Sequence, residues 1–492
     1  MDSFDLLVVG GGINGAAIAR DAAGRGLSVL LVEKDDLASH TSSASSKLIH
    51  GGLRYLEQYD FRLVRESLHE REVMLRTAPH LVRPLRFVLP HPRTGRPWWM
   101  VRAGLLLYDL LAGRKSLPGS RGLRRDDPAA RPLKPGFRLM SYWDAWVDDA
   151  RLVILNAIDA HERGAEIATR TEFLAARREG DAWIAGLSGG RQVRAGMIVN
   201  AAGPWVAEVL NQRLAGDAAA EVRLVKGSHI AVPRLHDGDQ AYILQQPDGR
   251  IVFALPFGEL TLIGTTDTPV AAPEDTAITA EEIAYLCVAA NGYFAQETTP
   301  ADVVWSYAGI RALHDDGAAE ASQVTREYRL ELDPAPGAKL LSVFGGKLTT
   351  ARHLAIEALD KLGVGGLKFT ATSALPGGHI MPGFNAWLDE LAAWMPAPML
   401  DRLARAYGTR LDRVLDRVES LRDMGRYFGA DLYEAEVHYL MTHEWARTAE
   451  DILWRRTKLG LKLTAAEHKA LATWVERAAG TERRSGDTPT GA

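Results

Sequence analysis

The sequence has little cysteine, no excess of positive charge and no long hydrophobic run. Cys287 is the single cysteine among 492 residues, which excludes disulfides within the chain and a cysteine-held iron–sulfur cluster. We predict no metal site. The formal net charge of −4 lacks the basic excess that nucleic-acid binding favours, so no nucleic-acid partner is expected. No stretch reaches the ~20 apolar residues that a membrane-spanning helix needs.

The N-terminal residues, Met-Asp-Ser-Phe-Asp, carry acidic groups where a secretory signal peptide carries positive charge. We therefore expect a cytoplasmic protein. A chain of this length predicts two or three domains rather than one core.

Short apolar runs that end in glycine recur along the chain. Residues 5–9 predict a buried strand, 13–24 an alanine-rich helix and 27–32 a second strand, which together make one βαβ unit. Strand-like runs at 197–200 and 340–344 also end in glycine turns. We predict an α/β protein whose Rossmann-type cofactor domain is built from discontinuous segments (1–80, 145–215 and 335–375), with an inserted β-rich α+β substrate domain (81–144 and 216–334), a C-terminal helical domain (376–480) and a disordered tail (481–492).

The glycines Gly10, Gly12 and Gly15 lie between the first strand and the first helix. In a dinucleotide site the first glycine permits the turn, the second lets the backbone approach a pyrophosphate, and the third lets helix and strand pack closely. The helix N-terminus then faces the phosphate charge. Glu33 ends the second strand at the spacing expected for an adenosine ribose, and its charge disfavours the 2′-phosphate of NADP. The motif alone leaves NAD and FAD open.

Features elsewhere in the chain favour FAD. Residues 41–47, Thr-Ser-Ser-Ala-Ser-Ser-Lys, form a dense run of small hydroxyl donors. Further glycine turns occur at Ala202-Gly203 and at Gly345-Gly346. A flavin with its long ribityl chain needs several such close backbone approaches, so we predict FAD.

The sequence resembles FAD-dependent glycerol-3-phosphate dehydrogenases over nearly its whole length. The most specific match is the run of residues 42–56 (SSASSKLIHGGLRYL), together with the glycine motif at 10–15. The other matching motifs are Trp146-Val147-Asp148-Asp149-Ala150-Arg151, Val225-Lys226-Gly227-Ser228-His229, Ile263-Gly264-Thr265-Thr266-Asp267, Phe344-Gly345-Gly346-Lys347-Leu348-Thr349-Thr350 and, near the C-terminus, residues 451–460 (DILWRRTKLG).

The resemblance implies oxidation of sn-glycerol 3-phosphate to dihydroxyacetone phosphate, with electrons passed from FAD to a membrane quinone. It also implies a homodimer in peripheral contact with the inner face of the cytoplasmic membrane. An oxygen-dependent oxidase of the same substrate stays open, and an amine or amino-acid oxidase on the same fold is the more distant alternative.

The site residues follow from the same motifs. Cations should hold the phosphate and the developing oxyanion, and a base must reach the substrate hydroxyl. His229 and His50 are the two candidates for the base, with His229 ranked first; His50 could instead lie against the flavin, and Asp267 could instead cap a turn. The predicted catalytic residues are His50, Arg54, Tyr55, His229, Thr266, Asp267, Arg311, Arg326 and Lys347. The predicted cofactor-binding residues are Gly10, Gly12, Ile13, Asn14, Gly15, Glu33, Lys34, Thr41, Ser42, Ser43, Ser45, Ser46, Lys47, Leu48, His50, Gly51, Gly52, Ala202, Gly203, Trp205, Gly309, Gly345, Gly346, Lys347, Leu348 and Thr349.

Residues 97–113 are the most apolar stretch of the chain. Tryptophans mark one end, cations follow the other, and Arg102 and Asp109 share one face of a helix. This pattern fits a helix lying in the lipid interface about as well as a buried packing helix. The resemblance favours the interfacial helix, lying on the membrane and not crossing it.

Overall fold

The computed structural model describes residues 1–53, 56, 60–92, 96–113, 116–124, 126–214, 222–314 and 328–486. In these residues the strands are β1 (Asp2–Val9), β2 (Val29–Val32), β3 (Leu48–Ile49), β4 (Val82–His91), β5 (Arg121–Gly122), β6 (Arg138–Val147), β7 (Glu166–Ala168), β8 (Phe173–Glu179), β9 (Ala182–Leu187), β10 (Gln192–Asn200), β11 (Val222–Pro233), β12 (Ala241–Gln245), β13 (Ile251–Phe257), β14 (Leu260–Gly264), β15 (Thr268–Pro269), β16 (Trp305–His314), β17 (Arg329–Leu332), β18 (Lys339–Phe344), β19 (Tyr427–Gly429) and β20 (Leu432–Tyr433). The helices are α1 (Ile13–Gly24), α2 (Phe61–Thr77), α3 (Trp98–Leu111), α4 (Asp149–Glu162), α5 (Val206–Glu208), α6 (Ala280–Asn291), α7 (Ala351–Lys361), α8 (Phe384–Leu391), α9 (Ala397–Tyr407), α10 (Leu411–Val414), α11 (Glu434–His443) and α12 (Ala465–Gly486).

The apolar runs that end in glycine form the centre of a first sheet. Its strand order is β17-β18-β10-β1-β2-β7, with β9 and β8 added beside β10. The strands β18, β10, β1, β2 and β7 run parallel. Leu6 and Val8 belong to a core shared with α1, α4 and α7, while Leu7 and Val9 belong to the core on the other face. Burial on both faces explains why the second half of β1 is continuously apolar.

A second, larger sheet has the order β15-β11-β14-β13-β12-β4-β6-β3, with β16 paired to β11 and β5 to β6. The helices α2 and α3 share a core with one face and α6 with the other. The predicted α/β fold class, with a β-rich part inserted between segments of the Rossmann-type sheet, is confirmed. Two strands differ from the predicted division. β17 lies within the expected substrate segment 216–334 and pairs with β18 in the first sheet, and β3 lies within the expected cofactor segment 1–80 and pairs with β6 in the second sheet.

The C-terminal helices α8–α12 pack around a core of their own, beside the short β19–β20 hairpin. Helix α12 (Ala465–Gly486) extends into the segment 481–492 that we predict to be disordered, and residues 487–492 lie outside the described chain. Among the described residues, no helix has both the length and the apolar character needed to cross a membrane.

Helix α3 occupies most of the predicted segment 97–113. Its buried side chains are Leu105 and Tyr108, whereas Trp99 is 65% exposed and Leu110 is 74% exposed. Arg102 and Asp109 share one face, as predicted, and both side chains hydrogen-bond to Ser120. The charged groups are therefore held against a neighbouring loop, and the outward face of the helix is apolar.

Candidate active site

The turn between β1 and α1 is shaped by glycines that no larger residue could replace. Gly10 has a φ of +112°, and a Cβ on Gly15 would lie 1.9 Å from the Gly10 carbonyl oxygen. Glu33, directly after β2, accepts hydrogen bonds from the Gly11 N–H at 2.7 Å and the Asp35 N–H at 2.9 Å. Helix α1 has no cap from its own N-cap residue, Gly12, although the distant Ser42 hydroxyl accepts from the Ile13 N–H. Its first N–H groups and the Glu33 carboxylate therefore flank the place where a dinucleotide phosphate and ribose would lie.

A buried ion pair between Lys47 and Asp149 holds the hydroxyl-rich segment 41–47 in place. Lys47 has no exposed surface, and its Nζ donates to both Asp149 carboxylate oxygens at 2.9 Å and to the Ser43 carbonyl at 3.1 Å. Ser45 also donates to Asp149, at 2.7 Å. Lys47 thus points away from the cavity, which corrects the prediction that it contacts the cofactor. It holds the segment, whose Ser42 hydroxyl accepts from the Ile13 N–H at 3.0 Å.

The glycine turn after β18 closes the same site. A Cβ on Gly346 would lie 2.6 Å from the Asn14 amide nitrogen, and that nitrogen donates to the Gly345 carbonyl at 3.0 Å. The Asn14 Oδ1 is buried without a hydrogen-bond partner among the described residues. The Asn14 amide oxygen, the N-terminus of α1 and the glycine backbone supply hydrogen-bonding groups suited to the hydroxyls and phosphates of FAD, so the residues present fit this cofactor.

The turns open into one cavity of about 590 Å³ between the two sheets. Predicted cofactor residues that line it are Gly10, Gly12, Ile13, Asn14, Glu33, Lys34, Thr41, Ser42, Ser45, Ser46, Leu48, His50, Gly52, Ala202, Gly203, Trp205, Gly309, Gly345, Gly346, Lys347, Leu348 and Thr349. Gly15, Ser43, Lys47 and Gly51 do not line it; they permit or hold the turns behind the lining.

The predicted catalytic residues His50, His229, Asp267, Arg311 and Lys347 line this cavity too. Arg311, on β16, places Nη1 2.5 Å from Asp267 Oδ1 and Nη2 3.4 Å from Thr265 Oγ1. A Cβ on Gly227, the neighbouring strand residue, would lie 2.6 Å from that Arg311 nitrogen. Glycine at this position therefore makes room for the guanidinium, whose direction Asp267 sets.

His229 lies on β11, facing the hydroxyl-rich segment. Its Nε2 is 2.9 Å from Ser46 Oγ, and its ring stacks on Tyr307 with centroids 4.9 Å apart. Burial, together with the positive charges of Lys47 and Arg311, lowers the pKa of His229 to about 3. The imidazole is therefore neutral at physiological pH.

Thr266 is among the predicted catalytic residues, but it does not line the cavity. Its hydroxyl accepts from the Ser228 N–H at 3.0 Å and lies 3.2 Å from Glu282 Oε1, inside the second sheet. The residues that line the cavity at this turn are Thr265 and Asp267. Arg54, Tyr55 and Arg326 lie outside the described residues.

Several cavity-lining residues were missed by the sequence analysis. They come from the strands of the second sheet and comprise Phe87, Leu89, Tyr142, Ile243, Gln245, Ile251 and Phe253. Their strands pair side by side only in the folded sheet, and no short motif marks them. β12 and β13 are apolar along most of their length, so no alternation of polar and apolar residues marks the face that meets a cofactor.

Comparison with known proteins agrees with this site. Residues 5–345 match the family described as FAD dependent oxidoreductase, and residues 369–483 match the C-terminal domain of alpha-glycerophosphate oxidase. The chain is 52% identical over 489 residues to a glycerol-3-phosphate dehydrogenase of Pseudomonas aeruginosa, covering 96% of this chain and 95% of that protein. It is 50% identical over 495 residues to a D-erythritol 1-phosphate dehydrogenase of Brucella abortus, covering 97% of this chain and 98% of that one.

Among solved structures, the glycerol-3-phosphate dehydrogenase of Bacillus halodurans in complex with FAD superposes with a TM-score of 0.71 at 27% identity. The match covers 98% of this chain and 94% of that chain. The predicted cofactor and family are thereby confirmed. The chain belongs to the FAD-dependent oxidoreductases and, within them, to the glycerol-3-phosphate dehydrogenase family.

Proposed function

We propose that this protein oxidises sn-glycerol 3-phosphate to dihydroxyacetone phosphate and passes the electrons to a membrane quinone. The observation that carries the proposal is the cavity in which the glycine turns of the first sheet meet Arg311, Lys347 and His229. FAD, when bound, supplies the acceptor for the hydride that leaves carbon 2 of the substrate. The protein must supply cations for the phosphate and a base for the hydroxyl proton.

Arg311 is the described residue best suited to bind the phosphate. Its guanidinium offers a planar fork to two oxygens, and the Asp267 carboxylate fixes that fork without burying it completely, since 29% of the Arg311 side chain is exposed. Lys347 follows the Gly345-Gly346 turn and lines the same cavity. The resemblance adds Arg54 and Arg326 to this set, as proposals for residues outside the described chain.

His229 is our first candidate for the general base and His50 the second. The assignment rests on geometry, since His229 lines the cavity and its Nε2 lies 2.9 Å from the Ser46 hydroxyl. The depressed pKa keeps the ring neutral, the form that can accept a proton, but makes it a weak base, so bound substrate must raise that pKa for the ring to take the hydroxyl proton. Replacing His229 with asparagine should lower the rate of flavin reduction more than replacing His50 with asparagine does. The reverse order would move the assignment to His50.

Anaerobic spectroscopy tests the proposed reaction directly. The oxidised-flavin absorbance of the purified protein should bleach with sn-glycerol 3-phosphate and persist with glycerol or an amino acid. A soluble quinone should then restore the absorbance faster than oxygen does, without forming hydrogen peroxide. Bleaching by an amino acid, or rapid peroxide formation, would instead support the amino-acid oxidase or the glycerol-3-phosphate oxidase alternative.

A longer polyol phosphate is the second candidate substrate. The 50% identity to the D-erythritol 1-phosphate dehydrogenase of Brucella abortus favours it, because that relative differs in named substrate and is nearly as similar as the P. aeruginosa enzyme. Both substrates share a phosphate and a secondary alcohol, so they need the same groups at the reacting end. The ratio of the two kcat/KM values decides between them.

We also propose that the apolar face of α3 rests on the cytoplasmic face of the inner membrane, where the quinone is dissolved. Trp99, Leu106 and Leu110 are 65%, 48% and 74% exposed, an unusual density of large apolar side chains for a surface open to water. Co-sedimentation with phospholipid vesicles tests this contact. The homodimer implied by the resemblance belongs to the same proposal, and light scattering on the detergent-solubilised protein tests it.

A further inference from the structure

Tyr108 connects the inward side of helix α3 to the backbone beside the active site. It is 1% exposed, although its helix is otherwise largely a surface element. Its hydroxyl accepts a hydrogen bond of 2.8 Å from the Gly51 N–H. Gly51 separates two cavity-lining residues, His50 and Gly52. The hydroxyl therefore helps to hold the backbone between two residues that face the flavin and substrate space. The Asp144 carboxylate also interacts with the Gly51 N–H, and the Thr349 hydroxyl accepts from the His50 N–H at 3.4 Å.

The hydroxyl is itself held by a buried charge network. It lies 2.9 and 2.8 Å from the two oxygens of Asp144, to which it donates its proton. Arg71 donates to the same carboxylate at 2.7 Å and to the Trp143 carbonyl at 3.0 Å. Asp144 and Arg71 are 1% and 3% exposed, so water does not compete for these bonds. Strand β6 and helix α2 thus fix the tyrosine hydroxyl in position.

The packing around Gly51 allows little movement. A Cβ built on Gly51 would lie 2.6 Å from the Tyr108 hydroxyl and 2.6 Å from Leu68 of α2. The backbone can approach the hydroxyl this closely only because the residue is glycine. Tyr142, which lines the cavity, packs edge-on against the Tyr108 ring with centroids 5.6 Å apart. A displacement of Tyr108 would therefore reach the cavity by two routes, through Gly51 and through Tyr142.

We propose that Tyr108 is a positioning residue for the reaction, acting through the Gly51 N–H on the segment from His50 to Gly52. This inference rests on the proposed function, because it assumes that His50 faces the reacting groups. The same helix carries the apolar face that we assign to the membrane. Helix α3 thus positions the active-site segment through its buried side, at Tyr108, and contacts lipid through its exposed side.

The test compares Tyr108→Phe with Tyr439→Phe in the FAD-loaded protein. Tyr439 is a matched control, since it is also buried, at 2% exposed, and its hydroxyl accepts one hydrogen bond of 2.8 Å from Arg410 in the C-terminal helices. Flavin reduction by sn-glycerol 3-phosphate is followed by stopped flow without oxygen. We expect Tyr108→Phe to slow it by roughly tenfold or more, because misplaced active-site groups lose rate steeply. Tyr439→Phe should reduce at the wild-type rate.

Hydrogen–deuterium exchange supplies a second readout that needs no substrate. The peptide that contains Gly51 should exchange faster in Tyr108→Phe than in the wild type, and the visible circular dichroism of the bound flavin should change. Vesicle binding should stay at the wild-type level, since the outward face of α3 is untouched. Asp144→Asn, which keeps an acceptor for the hydroxyl but loses the charge that fixes it, should show both effects in milder form and serves if Tyr108→Phe does not fold.

The outcomes separate the two proposals. Unchanged Gly51 exchange together with a wild-type reduction rate in Tyr108→Phe overturns the positioning role, as does an equal loss of rate in both tyrosine variants. Wild-type protein whose flavin is not bleached by glycerol 3-phosphate overturns the proposed function alone. In that case the exchange and dichroism measurements still decide whether Tyr108 positions the segment.

Discussion

Arg456→Leu should loosen the C-terminal helices from the cofactor sheet. Arg456 has no exposed side-chain surface, and its Nη1 and Nη2 lie 2.7 and 2.8 Å from the two oxygens of Asp36. Asp36 lies three residues after Glu33. The Arg456–Asp36 ion pair therefore connects the segment after α11 to the end of the predicted adenosine site. Arg456 also donates to the Glu444 carbonyl.

The magnitude follows from what the substitution leaves behind. Removing one partner of a buried ion pair costs about 3–5 kcal/mol. Arg455, whose Nε lies 2.6 Å from Asp36 Oδ2, would still compensate part of the stranded charge, so we expect the lower end of that range, ~3 kcal/mol. If all 492 residues unfold together, the unfolding entropy of a chain this long makes that a fall in Tm of only ~3 °C. If the residues matching 369–483 unfold first, the fall is ~12 °C.

Thermal unfolding, monitored by circular dichroism and by the fluorescence of released FAD, distinguishes unfolding of the whole chain from earlier unfolding of the C-terminal residues. Arg413→Leu is the control, since Arg413 is 50% exposed and its ion pair with Glu162 at 3.0 Å should contribute only ~0–1 kcal/mol. We expect the FAD-release temperature of Arg456→Leu to fall together with the unfolding temperature. If Arg456→Leu unfolds and releases FAD at the same temperatures as Arg413→Leu, the C-terminal helices do not support the cofactor sheet through this pair.

Four further predictions concern the site, its pH response and the surface. Gly15→Ala should yield protein without flavin absorbance even after reconstitution, because the added Cβ would lie 1.9 Å from the Gly10 carbonyl oxygen; a normal flavin content would contradict the tight turn. Arg311→Lys should lower kcat/KM for glycerol 3-phosphate by roughly 10–100-fold, since lysine cannot make the planar two-bond contact, and an unchanged kcat/KM would remove Arg311 from the phosphate site. Burial, with the Arg151 charge, lowers the pKa of His80 to about 3, so between pH ~6.5 and ~3 the unfolded chain binds a proton at this residue that the folded chain does not. Stability due to His80 is therefore lost as pH falls below ~6.5, and His80→Leu should flatten the decrease in Tm from pH 7 to pH 4; the same slope in both proteins would refute this. Leu110→Asp should weaken vesicle co-sedimentation at least tenfold, as a 74% exposed leucine on the lipid side would be replaced by a charge, whereas Leu174→Asp, on another exposed leucine, should leave it unchanged.

Local patterns predicted the parts of the site that form within one short segment. The strand–glycine–helix order gave β1, α1 and β2, because the turn and the close packing at Gly15 depend on residues only a few positions apart. The turn after β18 was equally visible at Gly345 and Gly346. In each case the absence of a side chain is itself the signal, since backbone must pass where a Cβ would collide.

Side-chain direction within a motif was not predictable in the same way. Lys47 and Thr266 belong to specific motifs, yet Lys47 turns toward Asp149 and Thr266 toward Glu282. Both partners lie far away in sequence or on another element, and a buried charge or hydroxyl takes the direction in which it finds one. The role of Tyr108 was hidden for the same reason, because Gly51 is 57 residues away along the chain.

The discontinuous first sheet has a consequence for how the protein acquires its cofactor during synthesis. Its central strand β10 lies between β1 and β18, and the ribosome delivers β18 only after the whole second sheet has been made. At ~5–20 residues per second, the interval between Glu33 and the Gly345 turn lasts tens of seconds. During that time the carboxyl ends of β1 and β2 exist without the turn that completes the cavity. A nascent chain that stalls before residue 345 therefore carries the glycine motif but lacks the Gly345-Gly346 side of the cavity, so we expect stable FAD binding only after that turn has been made.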